Sequence, residues 1–168
     1  MALLRIPIVY DRVRPPYIRG EVRWDRTGRS TLLDLVVDTG ADDTVLSLQD
    51  LKRIGATRDR LGRARSPLFG VGGPVEALVM RWAVLVFRGT ESQDAVFDLD
   101  SVLVMDDEGR MGGSGPPYRV PSLIGRRFME DRDIVLHWDF ATKLAYLEVP
   151  RPDSGQSLNT RRPITSSP

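Results

Sequence analysis

The sequence contains no cysteine and a single histidine, His137, in 168 residues. The lack of cysteine excludes a disulfide framework and thiolate chemistry, and one histidine excludes a multi-histidine metal site. No apolar run reaches the roughly 20 residues that a membrane-spanning helix needs. The opening stretch is interrupted by Arg5 and Pro7 and is too short for a signal peptide. A soluble cytoplasmic protein is therefore expected.

The sequence also lacks an excess of either charge, since it has 24 basic and 23 acidic residues and a net charge of +1. This balance disfavours nucleic acid or a membrane surface as a partner attracted by bulk charge. A chain of this length can bury one sizeable core but not two ordinary ones. We expect a single domain over residues 1–150, followed at 151–168 by a disordered tail, because that stretch is polar and contains proline.

Short apolar runs separated by glycine-containing turns predict a mainly β domain. Ser47 precedes a periodic apolar stretch that predicts a helix of about two turns, capped by Ser47 and ended by Gly55. Residues 123–129 predict the end of a strand that enters a second short helix. Residues 106–119 are rich in glycine and proline and form the least ordered internal stretch. The predicted strands are 3–10, 17–24, 30–37, 75–88, 93–105, 134–138 and 144–149.

The most informative stretch is residues 35–47. An apolar run ends at Asp38, a tight polar turn follows, and the apolar pair Val45 and Leu46 then leads back into the core. A carboxylate at the end of an apolar strand is partly desolvated. Gly40 can bring its N–H close to that acid, and Thr39 can hydrogen-bond near the turn or across to a neighbour. The pattern indicates a carboxylate held for chemistry.

If Asp38 activates water to attack a carbonyl group, two carboxyls are required, one ionised to take a proton from water and one protonated to hydrogen-bond the carbonyl. The only similar triplet, Asp153-Ser154-Gly155, lies in the polar tail and is not preceded by an apolar strand. A second lobe cannot be built around it. The remaining solution is a symmetric homodimer in which Asp38 of each chain meets at the twofold axis.

The segment Val37-Asp38-Thr39-Gly40-Ala41-Asp42-Asp43-Thr44-Val45-Leu46 resembles the active-site segment of the retroviral-type aspartic proteases, the retropepsins. The resemblance implies a closed β-barrel with one or two short helices, active as a homodimer on extended peptides without a metal or cofactor. It implies catalytic roles for Asp38, Thr39 and Gly40, with Thr39 bonding across the dimer beneath the carboxylates. It also implies substrate contacts from Ala41, Asp42 and Asp43.

Two further motifs carry the same resemblance. The run Gly70-Val71-Gly72-Gly73 resembles the glycine-rich tip of the flap, the hairpin that closes over substrate in retropepsins, and implies substrate contacts from these four residues. The run Leu123-Ile124-Gly125-Arg126 resembles the motif that precedes the retropepsin helix. It implies that Arg126 pairs with Asp42 and that Arg126 and Gly125 support the active-site loop.

The chain departs from the viral enzymes at its end. Interleaved chain ends lock the viral dimer, whereas the polar tail here favours residues 143–149 as the interface strand. Two alternatives to a general endopeptidase stay open: a catalytically weak peptide-binding or dimerisation module of the same fold, and a self-processing protease with one partner substrate.

Overall fold

A computed structural model describes residues 3–11, 13–70, 73–90, 93–106 and 120–150. The predictions for the tail and for most of 106–119 lie outside these ranges. The helices are α1 (Leu48–Leu51), with a 3-10 turn over Lys52–Ile54, and α2 (Arg126–Glu130). The strands are β1 (Leu3–Pro7), β2 (Tyr17–Trp24), β3 (Arg29–Val37), β4 (Val45–Ser47), β5 (Gly62–Arg63), β6 (Leu68–Gly70), β7 (Gly73–Val75), β8 (Ala77–Arg88), β9 (Asp94–Met105), β10 (Leu123–Ile124), β11 (Val135–Asp139) and β12 (Leu144–Pro150).

Six strands close into a barrel in the order β2-β3-β10-β4-β9-β8, and pairing of β8 with β2 completes it. Alternate residues of each strand point inward, because successive side chains of a strand face opposite sides. In β3 this buries Leu33, Leu35 and Val37. The predicted mainly β fold, the closed barrel and the two short helices are thus confirmed.

The helix predicted after Ser47 is shorter and starts differently from the prediction. It has four α-helical residues followed by the 3-10 turn, and Gly55 ends it in the left-handed region at φ +79°. Ser47 makes no side-chain capping bond. Its backbone N–H instead donates to Ser122 Oγ at 2.9 Å, so tertiary contact replaces the predicted local cap.

A three-stranded sheet in the order β1-β12-β11 packs beside the barrel. The first strand ends at Pro7 and not at residue 10, and Val9 forms an isolated bridge to Tyr17. Because β12 is the central strand, both of its hydrogen-bonding edges are occupied within the chain. The predicted interface strand 143–149 therefore cannot pair edge to edge with a second copy. No helix among the described ranges is long and apolar enough to cross a membrane.

Candidate active site

Asp38 follows the last residue of β3, at a point where distant parts of the chain meet. β3 runs parallel to β10, with Val37 opposite Ile124, and the Asp38 N–H donates to the Ile124 carbonyl at 3.1 Å. On the other side, the Val37 N–H donates to the Pro16 carbonyl at 2.9 Å. The backbone that carries Asp38 is therefore held from both sides, and the side chain is half-buried.

The turn that follows is held by backbone hydrogen bonds to Asp38 itself. The Gly40 N–H donates to Asp38 Oδ1 at 2.9 Å, and the Ala41 N–H approaches the Asp38 carbonyl at 3.3 Å. Thr39 and Gly40 are exposed in the single chain. One carboxylate oxygen is thus fixed by a backbone donor, while the turn faces solvent.

The active-site loop, residues 38–44, rests on the start of α2. Two backbone N–H groups of the helix, from Arg126 and Arg127, donate to the carbonyls of Ala41 and Asp42 at 2.8 and 2.9 Å. These bonds use donors that a helix start leaves unpaired. Gly125, directly before the helix, donates its N–H to Thr44 Oγ1 at 3.3 Å. The helix start and the loop therefore form one hydrogen-bonded unit.

Two ion pairs add to this unit. Arg126 Nη2 lies 2.7 Å from Asp42 Oδ1, and its Nη1 lies 3.3 Å from Glu130. The hydrogen bond from Arg126, and secondly its charge, lower the pKa of Asp42 below the usual 3.8. Arg127 Nη1 lies 3.0 Å from Asp43 Oδ1. The sequence interpretation missed this second pair, although two adjacent acids and two adjacent arginines were the available signal.

A buried serine behind the loop was also missed. Ser122 is fully buried, accepts the Ser47 N–H, and donates its hydroxyl to Asp50 Oδ2 at 2.7 Å. Its carbonyl accepts the Val36 N–H at 2.9 Å. Ser122 therefore links β3, β4 and α1 immediately before β10, and a serine before an apolar pair carries no local signal of that role.

The predicted flap coincides with a hairpin of β6 and β7, in which Gly70 lies opposite Gly73. Val71 and Gly72, between them, lie outside the described residues. Phe69 on β6 is 79% exposed. Its neighbour Leu68 packs into a small apolar cluster with members of β4, β7, β9 and β10 (Val45, Val75, Met105, Leu103, Leu123) and with Val120. The hairpin base thus reaches the strands that flank the active-site loop.

The Arg126–Asp42 pair gives a first prediction. If the chain cleaves peptides, as the resemblance of its active-site segment implies, Arg126→Ala should lower kcat/KM about tenfold, because a loop that positions reacting groups tolerates little displacement. The thermal unfolding midpoint should change little, since both side chains are more than half exposed and exposed pairs contribute little to stability. Arg19→Ala is the matched control, because Arg19 forms a 2.8 Å pair with Asp34 elsewhere on the barrel. An equal loss of activity in both variants would contradict the bracing role.

The same pair gives a pH dependence. Because the pKa of Asp42 is lowered below the usual 3.8 in the folded chain, the ion pair stabilises the folded state at pH values above 3.8. The contribution is lost as the pH falls through the lowered pKa. Unfolding midpoints of wild type and Asp42→Asn should therefore differ by a small amount above pH 3.8, as for Arg126→Ala, and converge at lower pH. A difference that grows on acidification would contradict this assignment. Because this pKa is lowered, the Arg126–Asp42 pair stays charged at mildly acidic pH.

Among the described residues, no group of three or more His, Cys, Asp or Glu side chains is arranged to hold a metal ion. No protein-family model matches the sequence, and no curated protein matches it.

Solved structures do match. The chain is similar to a retropepsin-like aspartic protease from Rickettsia conorii, with 18% identity, a TM-score of 0.53, and coverage of 88% of this chain and 93% of that one. It also aligns with EIAV protease complexed with the inhibitor HBY-793, with 20% identity, a TM-score of 0.45, and coverage of 73% and 92%. At this level of identity the first likeness shows the fold, and the fold is retropepsin-like.

Proposed function

From this fold and its Asp-Thr-Gly turn, we propose that the protein is an aspartic endopeptidase whose active site forms between two copies of the chain. The observation that carries the proposal is the Asp38 carboxylate, fixed by the Gly40 N–H at 2.9 Å in a solvent-facing turn. The two nearby acids of the loop, Asp42 and Asp43, are each paired with an arginine. Asp38 is therefore the acid of this loop that suits proton transfer.

The chemistry follows from two Asp38 carboxyls that share one proton. The ionised carboxylate takes a proton from a water molecule held between the two, and the protonated carboxyl hydrogen-bonds the oxygen of the scissile carbonyl. Attack by water gives a tetrahedral intermediate. Its collapse breaks the C–N bond as a carboxyl proton passes to the leaving amine. Because water and not a side chain is the nucleophile, no acyl-enzyme forms. Loss or gain of the shared proton stops the reaction, and a bell-shaped pH–rate profile is expected.

The substrate would lie extended between the active-site loop and the β6–β7 hairpin. Ala41 and Asp42 already use their carbonyls to bind α2, so these two carbonyls are engaged before substrate arrives. The partly buried members of the apolar cluster at the hairpin base offer a surface to apolar substrate side chains; they are Leu68, Leu103, Val120 and Leu123. Closure of the hairpin tip, residues 70–73, would exclude water from the reacting carbonyl.

Cleavage of an unfolded protein substrate over a dilution series tests the proposal. If both Asp38 carboxyls are required and come from different chains, the rate should fall with the square of the chain concentration once the dimer dissociates. Mass spectrometry of the products should show internal cleavage of peptide bonds. Peptide binding without cleavage at any concentration would instead support a binding module of the same fold. Cleavage confined to the chain itself would support the self-processing alternative.

A further inference from the structure

The stretch from residue 52 to residue 65, which leads from the 3-10 turn toward the β6–β7 hairpin, concentrates positive charge. It has six basic residues and one acidic residue, which gives it a net charge of +5. The whole chain has a net charge of +1, so the remaining residues carry −4. All six basic residues are exposed: Lys52, Arg53, Arg58, Arg60, Arg63 and Arg65. We call residues 52–65 the basic segment, and the proposed active site gives it no role.

Three arginines of the basic segment lack an acidic partner. Arg58 does pair with the buried Asp106, with Nη2 at 2.7 Å from Oδ1. By contrast, Arg53, Arg63 and Arg65 form no ion pair with another described residue. Exposed arginines on other strands have acidic partners, which are Glu148 for Arg5, Asp34 for Arg19 and Asp94 for Arg88. The basic segment therefore presents guanidinium groups that can bind an anionic group from outside the chain.

β5, the strand within the basic segment, has an open hydrogen-bonding edge. Among the described strands it pairs with β8 alone, with Arg63 opposite Leu78, and it is the last strand of its sheet. The Ala64 N–H donates to the Ala77 carbonyl at 3.0 Å, so residue 64 turns its N–H toward β8. Backbone groups of successive strand residues point in opposite directions, so Arg63 turns its N–H and carbonyl away from β8. Such an edge can pair with another extended chain.

The combination of charge and open edge favours one kind of partner, an extended peptide with acidic side chains. Its backbone can add to β5 as a further strand, and its carboxylates can bind the arginines. β5 of a second copy would bring like charges together, which is unfavourable. Residues 151–168 hold three arginines and one aspartate, so the chain's own tail does not complement the charge. Nucleic acid cannot add as a strand, and the basic segment has no aromatic side chain on which bases could stack.

The basic segment is connected to both ends of the β6–β7 hairpin. β6 begins at Leu68, three residues after Arg65, and β8 begins at Ala77, two residues after β7 ends. Ala77 is also the residue that accepts the Ala64 N–H. Arg63 is five residues before Leu68, so the two lie at most about 17 Å apart. An extended peptide that passes beneath the hairpin can therefore reach β5 within a few more residues.

We propose that the basic segment binds an acidic, extended segment of a protein substrate, which pairs with the outer edge of β5 and forms ion pairs with Arg63 and Arg65. That the bound peptide is a substrate rests on the proposed function, whereas the binding itself does not. The acidic segment lies outside the residues that flank the cleaved bond. It therefore strengthens binding in the ground state and the transition state alike, which lowers KM and leaves kcat unchanged.

The first test measures binding without cleavage. The probe is a fluorescent peptide of alternating glutamate and threonine, compared by anisotropy with its glutamine–threonine counterpart on the Asp38→Asn chain. The glutamate peptide should bind about tenfold more tightly at low salt and lose this advantage as the salt concentration rises. The double variant Arg63→Glu/Arg65→Glu, made in the Asp38→Asn chain, should weaken its binding about tenfold or more, because like charges repel. Equal binding of the two peptides would overturn the inference.

Arg19→Glu/Arg88→Glu, in the same Asp38→Asn chain, is the matched control for the double variant. It changes the net charge by the same amount, and its two exposed arginines lie on the neighbouring strands β2 and β8, where Gly20 is opposite Phe87. Arg88 is nine residues along β8 from Val79, the partner of β5, or about 25–30 Å away. The control should bind the glutamate peptide like Asp38→Asn alone. An equal loss in both double variants would mean that net charge, and not the basic segment, attracts the peptide.

The pairing with β5 has its own test. The glutamate peptide with all its backbone nitrogens methylated keeps its charges but has no N–H to donate, so its affinity should fall about tenfold. Equal affinity of the methylated peptide would overturn strand addition. A short oligothymidine that binds more tightly than the glutamate peptide, and loses binding in Arg63→Glu/Arg65→Glu, would overturn the choice of a peptide and assign the basic segment to nucleic acid.

Cleavage kinetics separate this inference from the proposed function. Two quenched peptide substrates share the cleaved sequence and carry either a glutamate–threonine or a glutamine–threonine extension, placed at either end. Wild type should show a KM about tenfold lower for the acidic substrate at equal kcat, and Arg63→Glu/Arg65→Glu should remove the difference. Normal cleavage of both substrates with equal KM would refute the role of the basic segment alone. Binding of the acidic peptide without any cleavage would refute the proposed function and leave the binding surface standing.

Discussion

Asn in place of Asp38 should abolish cleavage of an unfolded protein substrate while leaving the fold and the dimer intact. The asparagine side chain keeps the shape of the carboxyl and can still accept the Gly40 N–H, which now bonds Asp38 Oδ1 at 2.9 Å. It can neither take a proton from water nor share one across the twofold axis. Removal of an acid–base group of this kind typically costs about 10²–10⁴-fold in rate. Product formation under initial-rate conditions gives the measurement, with thermal unfolding and sedimentation as controls for structure.

A mixing experiment tests whether the two acids come from two chains. If wild-type chains are diluted tenfold with Asp38→Asn chains and allowed to exchange, only about 1% of random dimers carry two intact carboxylates. Activity per wild-type chain should then fall about tenfold. Activity that follows the amount of wild-type chain, with no inhibition by the variant, would place both catalytic groups in one chain. Activity retained by Asp38→Asn alone would remove Asp38 from the mechanism.

The fold was predictable where local patterns and tertiary structure agree. The Tyr17–Trp24 strand and the hairpin after it follow alternating apolar residues and a glycine turn, and the structure has the strand with the predicted bounds. Gly55 ends its helix as predicted, because only a residue tolerant of positive φ fits there. Asp38 stood out because an apolar strand that ends on an acid and a tight turn is unusual in sequence.

The remaining features depend on pairings between distant parts of the chain. The parallel contact of β3 with β10 brings Val37 beside Ile124, and no local periodicity encodes which strands become neighbours. The Arg127–Asp43 pair exists only because that contact sets α2 against the active-site loop. Ser47 lost its predicted capping role for the same reason, since Ser122 from the far side of the sequence reaches its backbone.

Gly125 shows how closely the helix start approaches the loop. Its backbone, at φ −91° and ψ 174°, is one that any residue can adopt, so conformational freedom does not explain the glycine. The lack of room for a side chain explains the glycine. A Cβ at this position would lie 2.4 Å from the Asp43 carbonyl oxygen and 2.9 Å from the Asp42 carbonyl carbon. These neighbours are backbone atoms, which cannot rotate away as a side chain could, and the Arg127 N–H holds the Asp42 carbonyl in place at 2.9 Å.

Gly125→Ala should therefore damage stability and activity together. We expect a loss of about 1–3 kcal/mol in the free energy of unfolding, typical of overpacking at a rigid site. We expect kcat/KM to fall about 100-fold, because the methyl group must displace the loop that carries Asp38. Urea unfolding and initial-rate kinetics at saturating dimer concentration give the two quantities separately.

Gly62→Ala is the matched control for this substitution. A Cβ at Gly62 meets only Val79, with its nearest atom at 3.7 Å, which is ordinary van der Waals contact on the short edge strand β5. Its stability should change by less than about 1 kcal/mol and its activity should not change. If Gly125→Ala behaves like this control, the loop is free to move away from α2. The ion pairs, and not the close backbone contact, would then have to position Asp38.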